Sequence, residues 1–143
     1  MLCLRRLLLL TALLVGAPLL HAAGPSALAA GHPIVGTWSW ALFGGACIET
    51  WQFRADQTLL ATSGQEVAAK RYTVSPQADP QGFYTLTETV LRHNEKKDCS
   101  GASLDGLGEK TSRFIQFSPQ RDKLLVCEAA SLKACFGPLN RLP

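Results

Sequence analysis

Glu49 is the charged residue whose setting in the sequence is most suggestive of chemistry. It alternates with Trp51 and Phe53, so the three side chains share one face if this segment is a β-strand. A carboxylate on an inward, aromatic face must be paired with a cation, protonated, or used to orient a bound molecule. An interior salt bridge, for example to Arg113, or a position at the wet rim of the domain would instead make Glu49 structural. Glu88 lies among apolar residues in a similar way and leaves the same alternatives open.

The sequence lacks the motifs of the common enzyme classes. It contains no G-x-S-x-G nucleophile motif, no P-loop and no dinucleotide-binding fingerprint. His32 and His93 fall in loop-like segments, where neither is placed to activate a serine. We therefore expect a protein that is not an enzyme, with no catalytic residues, no cofactor and no metal site.

The first 23 residues have the layout of a secretory signal peptide. A basic pair, Arg5 and Arg6, precedes an almost unbroken apolar run over residues 7–20, and small residues follow at Ala22 and Ala23. The apolar run is shorter than the roughly 20 residues that a transmembrane helix needs. We expect a periplasmic or secreted protein without a membrane span. Its parts are a signal peptide (residues 1–23), a flexible lead-in (24–33) and one folded domain (34–143).

The charge of the exported part excludes one class of partner. Without Arg5 and Arg6, 12 of the 14 basic residues remain against 11 acidic residues, a net charge of +1. The basic residues are scattered, whereas binding of nucleic acid needs a basic patch or stripe. We expect no nucleic-acid partner.

Four cysteines follow the signal peptide: Cys47, Cys99, Cys127 and Cys135. An even number of cysteines in a small exported domain predicts disulfides, here two. The close C-x-x-C pairs that are typical of zinc sites are missing from the sequence. Each disulfide should contribute about 2–4 kcal/mol to the free energy of unfolding.

Short segments with β-like composition and alternation run through the domain, separated by turn residues. They cover residues 34–42, 47–54, 58–62, 68–74, 83–91, 111–117, 123–127 and 135–139. No long helical pattern interrupts them. Regularly spaced short antiparallel strands form a sandwich or a closed meander, and closure removes exposed sheet edges. We expect an all-β protein, an eight-stranded antiparallel up-and-down barrel stapled by two disulfides.

The first strand carries a family resemblance. Gly36-Thr37-Trp38 resembles the G-x-W signature of the lipocalin-like (calycin) barrels, and the cysteine pattern resembles that of small lipocalin-like proteins of the bacterial periplasm. The resemblance implies that Trp38 closes one end of the barrel. It also implies that Arg141, just after the last strand, packs on the tryptophan ring, a contact worth about 0.5–2 kcal/mol.

An up-and-down barrel of this kind implies that all four cysteines lie at one rim, because successive strands alternate in direction. The preferred pairs are Cys47–Cys135 and Cys99–Cys127. The main alternative is Cys127–Cys135 across the last hairpin, which leaves Cys47 to pair with Cys99. The spacing of the cysteines does not decide between these connectivities.

Two functions of different kinds fit this barrel. In the first, a monomeric binding module holds a small apolar or amphipathic molecule on an inner face. That face carries Trp40, Glu49, Trp51, Phe53 and Tyr84. In the second, the barrel core is filled and the protein acts through its surface, as a periplasmic inhibitor of a secreted hydrolase such as a protease or lysozyme.

Overall fold

The computed structural model describes Leu28, residues 31–104 and residues 106–143. The predicted signal peptide and most of the lead-in lie outside the described residues. Within them the strands are β1 (Gly36–Leu42), β2 (Cys47–Phe53), β3 (Thr58–Ser63), β4 (Glu66–Val74), β5 (Tyr84–His93), β6 (Lys110–Phe117), β7 (Lys123–Cys127) and β8 (Cys135–Arg141).

The eight strands close into one barrel in sequence order. Each strand pairs antiparallel with the next, and β8 returns to β1 through the pairs Trp38↔Arg141 and Ser39↔Asn140. The predicted eight-stranded antiparallel up-and-down barrel is confirmed, and it is consistent with a lipocalin-like fold. Closure gives every strand a neighbour on both sides, which removes the open sheet edges.

The hairpin between β3 and β4 shows how a turn decides the local structure. Ser63 pairs with Glu66 across Gly64 and Gln65, and Gly64 has a φ of +59° that glycine adopts readily. The segment that begins at Glu66 also tolerates helix by composition, but here it continues the ladder as β4. Cross-strand pairing therefore outweighs the weak helical preference of these residues.

The two ends of the barrel are formed by different loops. The loops after β1, β3, β5 and β7 lie at one end, which we name the cysteine end. Cys47 begins β2, Cys99 lies in the loop after β5, Cys127 ends β7 and Cys135 begins β8. All four cysteines thus lie at one rim, as expected from the strand directions. The opposite end, where Trp38 lies, is named the plug end.

Trp38 closes the plug end. Its side chain is fully buried, its Nε1–H donates to the carbonyl oxygen of Ile34 at 2.8 Å, and the guanidinium carbon of Arg141 lies 4.2 Å from the ring centre. Arg141 also donates from Nη1 to the carbonyl oxygen of Val35 at 2.9 Å. Gly36 has a φ of +138°, and a Cβ there would lie 2.5 Å from Nη1 of Arg141. A glycine at this position is what allows the arginine to approach the main chain and cover the tryptophan.

The interior at the plug end is filled by side chains. Its members come from all eight strands, one from each, and each exposes at most 1 % of its surface. They are Trp38, Phe53, Leu59, Tyr72, Leu86, Ile115, Leu124 and Leu139. Protein interiors of this kind pack to the density of organic crystals, so this half of the barrel is solid.

Packed structure begins before β1, within the segment expected to be a flexible lead-in. His32 is only 5 % exposed, and its ring contacts Tyr84 and Phe117 edge-on. Its Nδ1 accepts a hydrogen bond from the main-chain N–H of Ile34 at 3.2 Å, and its Nε2 lies 3.3 Å from the carbonyl oxygen of Ser75. Since Nδ1 is an acceptor, the proton of the neutral ring belongs on Nε2. His32 thereby ties this segment across the plug end.

The disulfide connectivity is Cys47–Cys99 and Cys127–Cys135. The preferred prediction, Cys47–Cys135 with Cys99–Cys127, was wrong, and the alternative is correct. Cys127 and Cys135 are direct cross-strand partners in the last hairpin, with Cα atoms 4.0 Å apart. Cysteines on directly paired strands lie closer together than cysteines that are separated by another strand. Cys127 and Cys135 therefore form a disulfide within the last hairpin.

The loop after β5 explains the other pair. This loop lies across the ends of β4 and β3 in the direction of β2, and not across β6 in the direction of β7. Asn94 accepts a hydrogen bond from the N–H of Val67, and the N–H of Cys99 donates to Oγ of Ser63 at 3.1 Å. Because β2 is the neighbour of β3, this path brings Cys99 beside Cys47, and their Cα atoms are 5.8 Å apart.

Candidate functional site

Three aromatic side chains line the inner face near the cysteine end. Trp40 stacks on Phe136 with ring centres 5.3 Å apart, and the edge of Phe136 meets Trp51 at 6.0 Å. They come from β1, β8 and β2, which are neighbours in the barrel. We name Trp40, Trp51 and Phe136 the aromatic wall. Trp40 and Phe136 are partly exposed, although they pack on the core.

Glu49 lies beside the aromatic wall, where it is the β2 partner of Trp40. Its Oε1 accepts a hydrogen bond from Nε1 of Trp51 at 2.7 Å. Burial raises the pKa of Glu49 above its ordinary value, and the Trp51 hydrogen bond and the charge of Lys70 partly offset this. No ion pair involves Glu49 within the described ranges, so the interior salt bridge with Arg113, one of the alternatives left open for Glu49, is not formed. Glu49 is thus a half-buried carboxyl group that is held by a hydrogen bond from Trp51.

Arg113 pairs with a different acid. Its Nη1 lies 3.7 Å from Oε2 of Glu88, and Nζ of Lys70 donates to the same oxygen at 3.1 Å. The strand register explains why Arg113 contacts Glu88. Arg113 is paired with Leu86 on the adjacent strand β5, and Glu88 follows Leu86 by two residues, on the same face of that strand. Lys70, Glu88 and Arg113 come from β4, β5 and β6, and we name them the charged wall.

One carboxylate oxygen of Glu88 has no hydrogen-bond partner among the described residues. The side chain is 3 % exposed, and the oxygen without a partner is Oε1. A buried acceptor without a donor is rare in folded proteins and costs about 1–3 kcal/mol. Both cations approach the other oxygen, so the carboxylate is paired on one side only.

The two walls lie on opposite sides of the barrel, because β1, β2 and β8 face β4, β5 and β6 in a closed eight-stranded ring. The side chains of Arg113 and Lys70 are 33 % and 15 % exposed although they point inward to Glu88. Trp40 and Glu49 are partly exposed too. Water therefore reaches parts of these four inward side chains, whereas the interior side chains of the plug end are buried.

The structure separates the five residues predicted for a ligand-binding face. Trp40, Glu49 and Trp51 lie together at the cysteine end. Phe53 lies deeper, where it contacts Trp51 and also Tyr72, whose ring centre is 4.9 Å away. Tyr84 belongs to the plug end, with His32 and Phe117 as its ring contacts.

Sequence reasoning missed Phe136 and Lys70 as members of this site. Lys70 alternates with the inward residues Ala68 and Tyr72, so strand alternation could have placed it inside. Strand alternation did not indicate that Phe136 points into the barrel. The pairing of β7 and β8 shifts register between Leu124 and Val126, which re-aims the side chains of the last strand.

Two cavities lie outside the space between the walls, and Lys70 of the charged wall lines the second of them. One of about 410 Å³ is lined by residues of β6, β7 and the turn between them, including Phe117 and Leu125. Another of about 520 Å³ lies along β3, β4 and β5, where Arg54 and Arg92 are among its lining residues. Neither lies between the aromatic and charged walls.

Other kinds of site are not formed by the described part of the chain. Within it, no three histidine, cysteine or acidic side chains are grouped closely enough to hold a metal ion. None of its helices is long and apolar enough to cross a membrane. Comparison with protein-family models, with curated proteins and with solved structures gives no match for this chain. The assignment of a function therefore depends on the geometry of the barrel itself.

Proposed function

We propose that the protein is an exported binding module for a small apolar or amphipathic molecule, held inside the cysteine end of the barrel. The observation that supports this most is the aromatic wall, in which Trp40 and Phe136 are partly exposed and which faces three charged side chains across the barrel axis. Covering aromatic surface that water now reaches would contribute about 25 cal/mol for each Å² removed from water. A molecule with an apolar body and one polar group fits both walls.

The same proposal places the chain among the lipocalin-like barrels of the periplasm. Support comes from the closed up-and-down barrel and from the arrangement of Gly36, Trp38 and Arg141 at the plug end. Two disulfides in a domain of this size are typical of proteins that fold in an oxidising compartment.

Titration monitored by tryptophan fluorescence tests this function. The exported protein is titrated with fatty acids, isoprenoids and aromatic amphiphiles, and binding should change the emission of Trp40 and Trp51. Phe136→Ala removes one member of the aromatic wall and should abolish the response. Phe43→Ala is the matched control, because Phe43 is 70 % exposed on the loop between β1 and β2. A wild-type protein that responds to no member of the panel would contradict the proposal.

A second function has an observation of its own. Among the described residues, the three most exposed large apolar side chains are Phe43, Leu107 and Leu132, and they lie on three different loops of the cysteine end. Apolar loop tips at one end of a rigid barrel suit a protein that acts through its surface, as an inhibitor of a secreted protease or lysozyme. Inhibition of such a hydrolase that is lost in Phe43→Ser with Leu132→Ser, and retained in Phe136→Ala, would favour this function.

A further inference from the structure

The charged wall has more positive than negative charge. Lys70 and Arg113 both approach a single oxygen of one carboxylate, that of Glu88. The Nη1 contact of Arg113 is 3.7 Å, which is longer than a hydrogen bond. Arg113 donates no hydrogen bond to any described residue, although a guanidinium has five N–H donors. These donors remain available on a side chain that is 33 % exposed.

The second carboxylate oxygen of Glu88, Oε1, lacks a hydrogen-bond donor among the described residues. Its own accessible surface is below 1 Å², so a donor reaches it once a neighbouring side chain moves, and a water molecule or a hydroxyl group of a ligand can then supply the hydrogen bond. The wall thus carries unused donors of positive charge on Arg113 and, beside them, one buried acceptor of negative charge that lacks a donor among the described residues.

We propose that this wall selects an anionic amphiphile whose head group also carries a hydroxyl, such as a hydroxycarboxylate with an apolar tail. This inference rests on the proposed function and names its ligand class. The carboxylate of the ligand meets the guanidinium of Arg113, a geometry that permits two parallel hydrogen bonds. The adjacent hydroxyl donates to Oε1 of Glu88, and the tail lies along the aromatic wall. A cationic head would instead face two like charges.

Four probes with the same ten-carbon tail separate these requirements. Calorimetric titration of the full exported chain uses 3-hydroxydecanoate, decanoate, 1-decanol and decylamine. We expect 3-hydroxydecanoate to bind tightest, with an affinity roughly tenfold above that of decanoate, since a hydrogen bond to a charged group is worth about that much. Decanol should be weaker than decanoate, and decylamine weakest.

Variants of the charged wall assign the effect to its residues. Arg113→Gln should bring the affinity for decanoate down to that for decanol and leave decanol itself unchanged. Arg71→Gln on the exposed outer face of β4 is the matched control and should behave as wild type. Glu88→Gln removes the negative charge, so the preference for decanoate over decylamine should widen. Because Glu88 is buried and can affect folding, circular dichroism is recorded for it, and Arg113→Gln tests the inference independently.

The outcomes separate this inference from the function on which it rests. Equal affinities for all four probes, or a preference for decylamine, would overturn the selection of an anionic head and leave the binding function standing. Binding of decanoate and 3-hydroxydecanoate with the same affinity would overturn the role of Glu88 Oε1. Absence of measurable binding of all four probes would contradict the binding function together with the inference.

Discussion

The plug end and the cysteine end are built from the same eight strands but are stabilised in different ways. At the plug end the interior is a packed core around Trp38, and His32 and Arg141 tie the flanking chain across it. At the cysteine end several inner side chains are partly exposed, some are charged, and both disulfides lie there. Both covalent cross-links therefore lie at the end whose inner side chains are less completely buried.

Replacement of Trp38 should give the largest effect on stability. Trp38→Ala removes a fully buried ring and the surface on which Arg141 lies. We expect the free energy of unfolding to fall by about 3–5 kcal/mol, as for other core aromatic deletions. Trp40→Ala at the cysteine end should cost less, since its ring is partly exposed. Urea unfolding of both variants measures the difference, and equal losses would remove the distinction between the two ends.

Removal of the disulfides should destabilise the cysteine end unequally. The Cys47–Cys99 bridge spans 52 residues and the Cys127–Cys135 bridge spans 8. In the chain-entropy description these loops correspond to about 4 and about 2.5 kcal/mol. Paired Cys→Ala variants, compared by urea unfolding, should follow this order. A larger loss from the short hairpin bridge would show that packing around the bridges, rather than the unfolded chain, dominates.

The plug end should respond to acid through His32. Burial and the charge of Arg121 lower its pKa below the ordinary 6.5, against the opposing hydrogen bond with Ser75. A lowered pKa in the folded state favours the neutral ring, so its contribution to stability is present above pH 6.5 and is lost as the pH falls through the folded-state value. His32→Gln should show a smaller loss of stability between pH 7 and pH 5 than wild type. Parallel profiles for the two proteins would refute this role.

Glu49 should give the smallest effect, with the opposite dependence on pH. Burial raises its pKa above 4.5, so ionisation in the folded state costs stability as the pH rises through the raised value. Glu49→Gln keeps an oxygen for Nε1 of Trp51 and cannot ionise. The stability of the variant relative to wild type should therefore increase from pH 4 to pH 8. A relative stability that decreases over this range would mean that the carboxylate is stabilised where it lies.

Alternation and turn residues were enough to predict the strands and their closure, because each strand has one buried and one exposed face. They were also enough to place Trp51 and Phe53 inside. They were not enough for the disulfides, since the path of the loop after β5 depends on the side chain of Asn94 and on Ser63. The partner of Arg113 likewise depends on strand register, which brings Glu88 closer than Glu49. Contacts between distant segments are the part that local patterns do not encode.

The three tryptophans provide the most direct measurement of the central claim, because they divide between the two ends. Each indole N–H gives a separate signal in a two-dimensional ¹H–¹⁵N NMR spectrum, and Trp38→Phe, Trp40→Phe and Trp51→Phe variants assign the signals. On titration with 3-hydroxydecanoate, the signals of Trp40 and Trp51 should shift in a saturable way while that of Trp38, bonded to Ile34, stays in place. A shift of Trp38 as large as the others, or unchanged signals from all three, would contradict a binding site at the cysteine end.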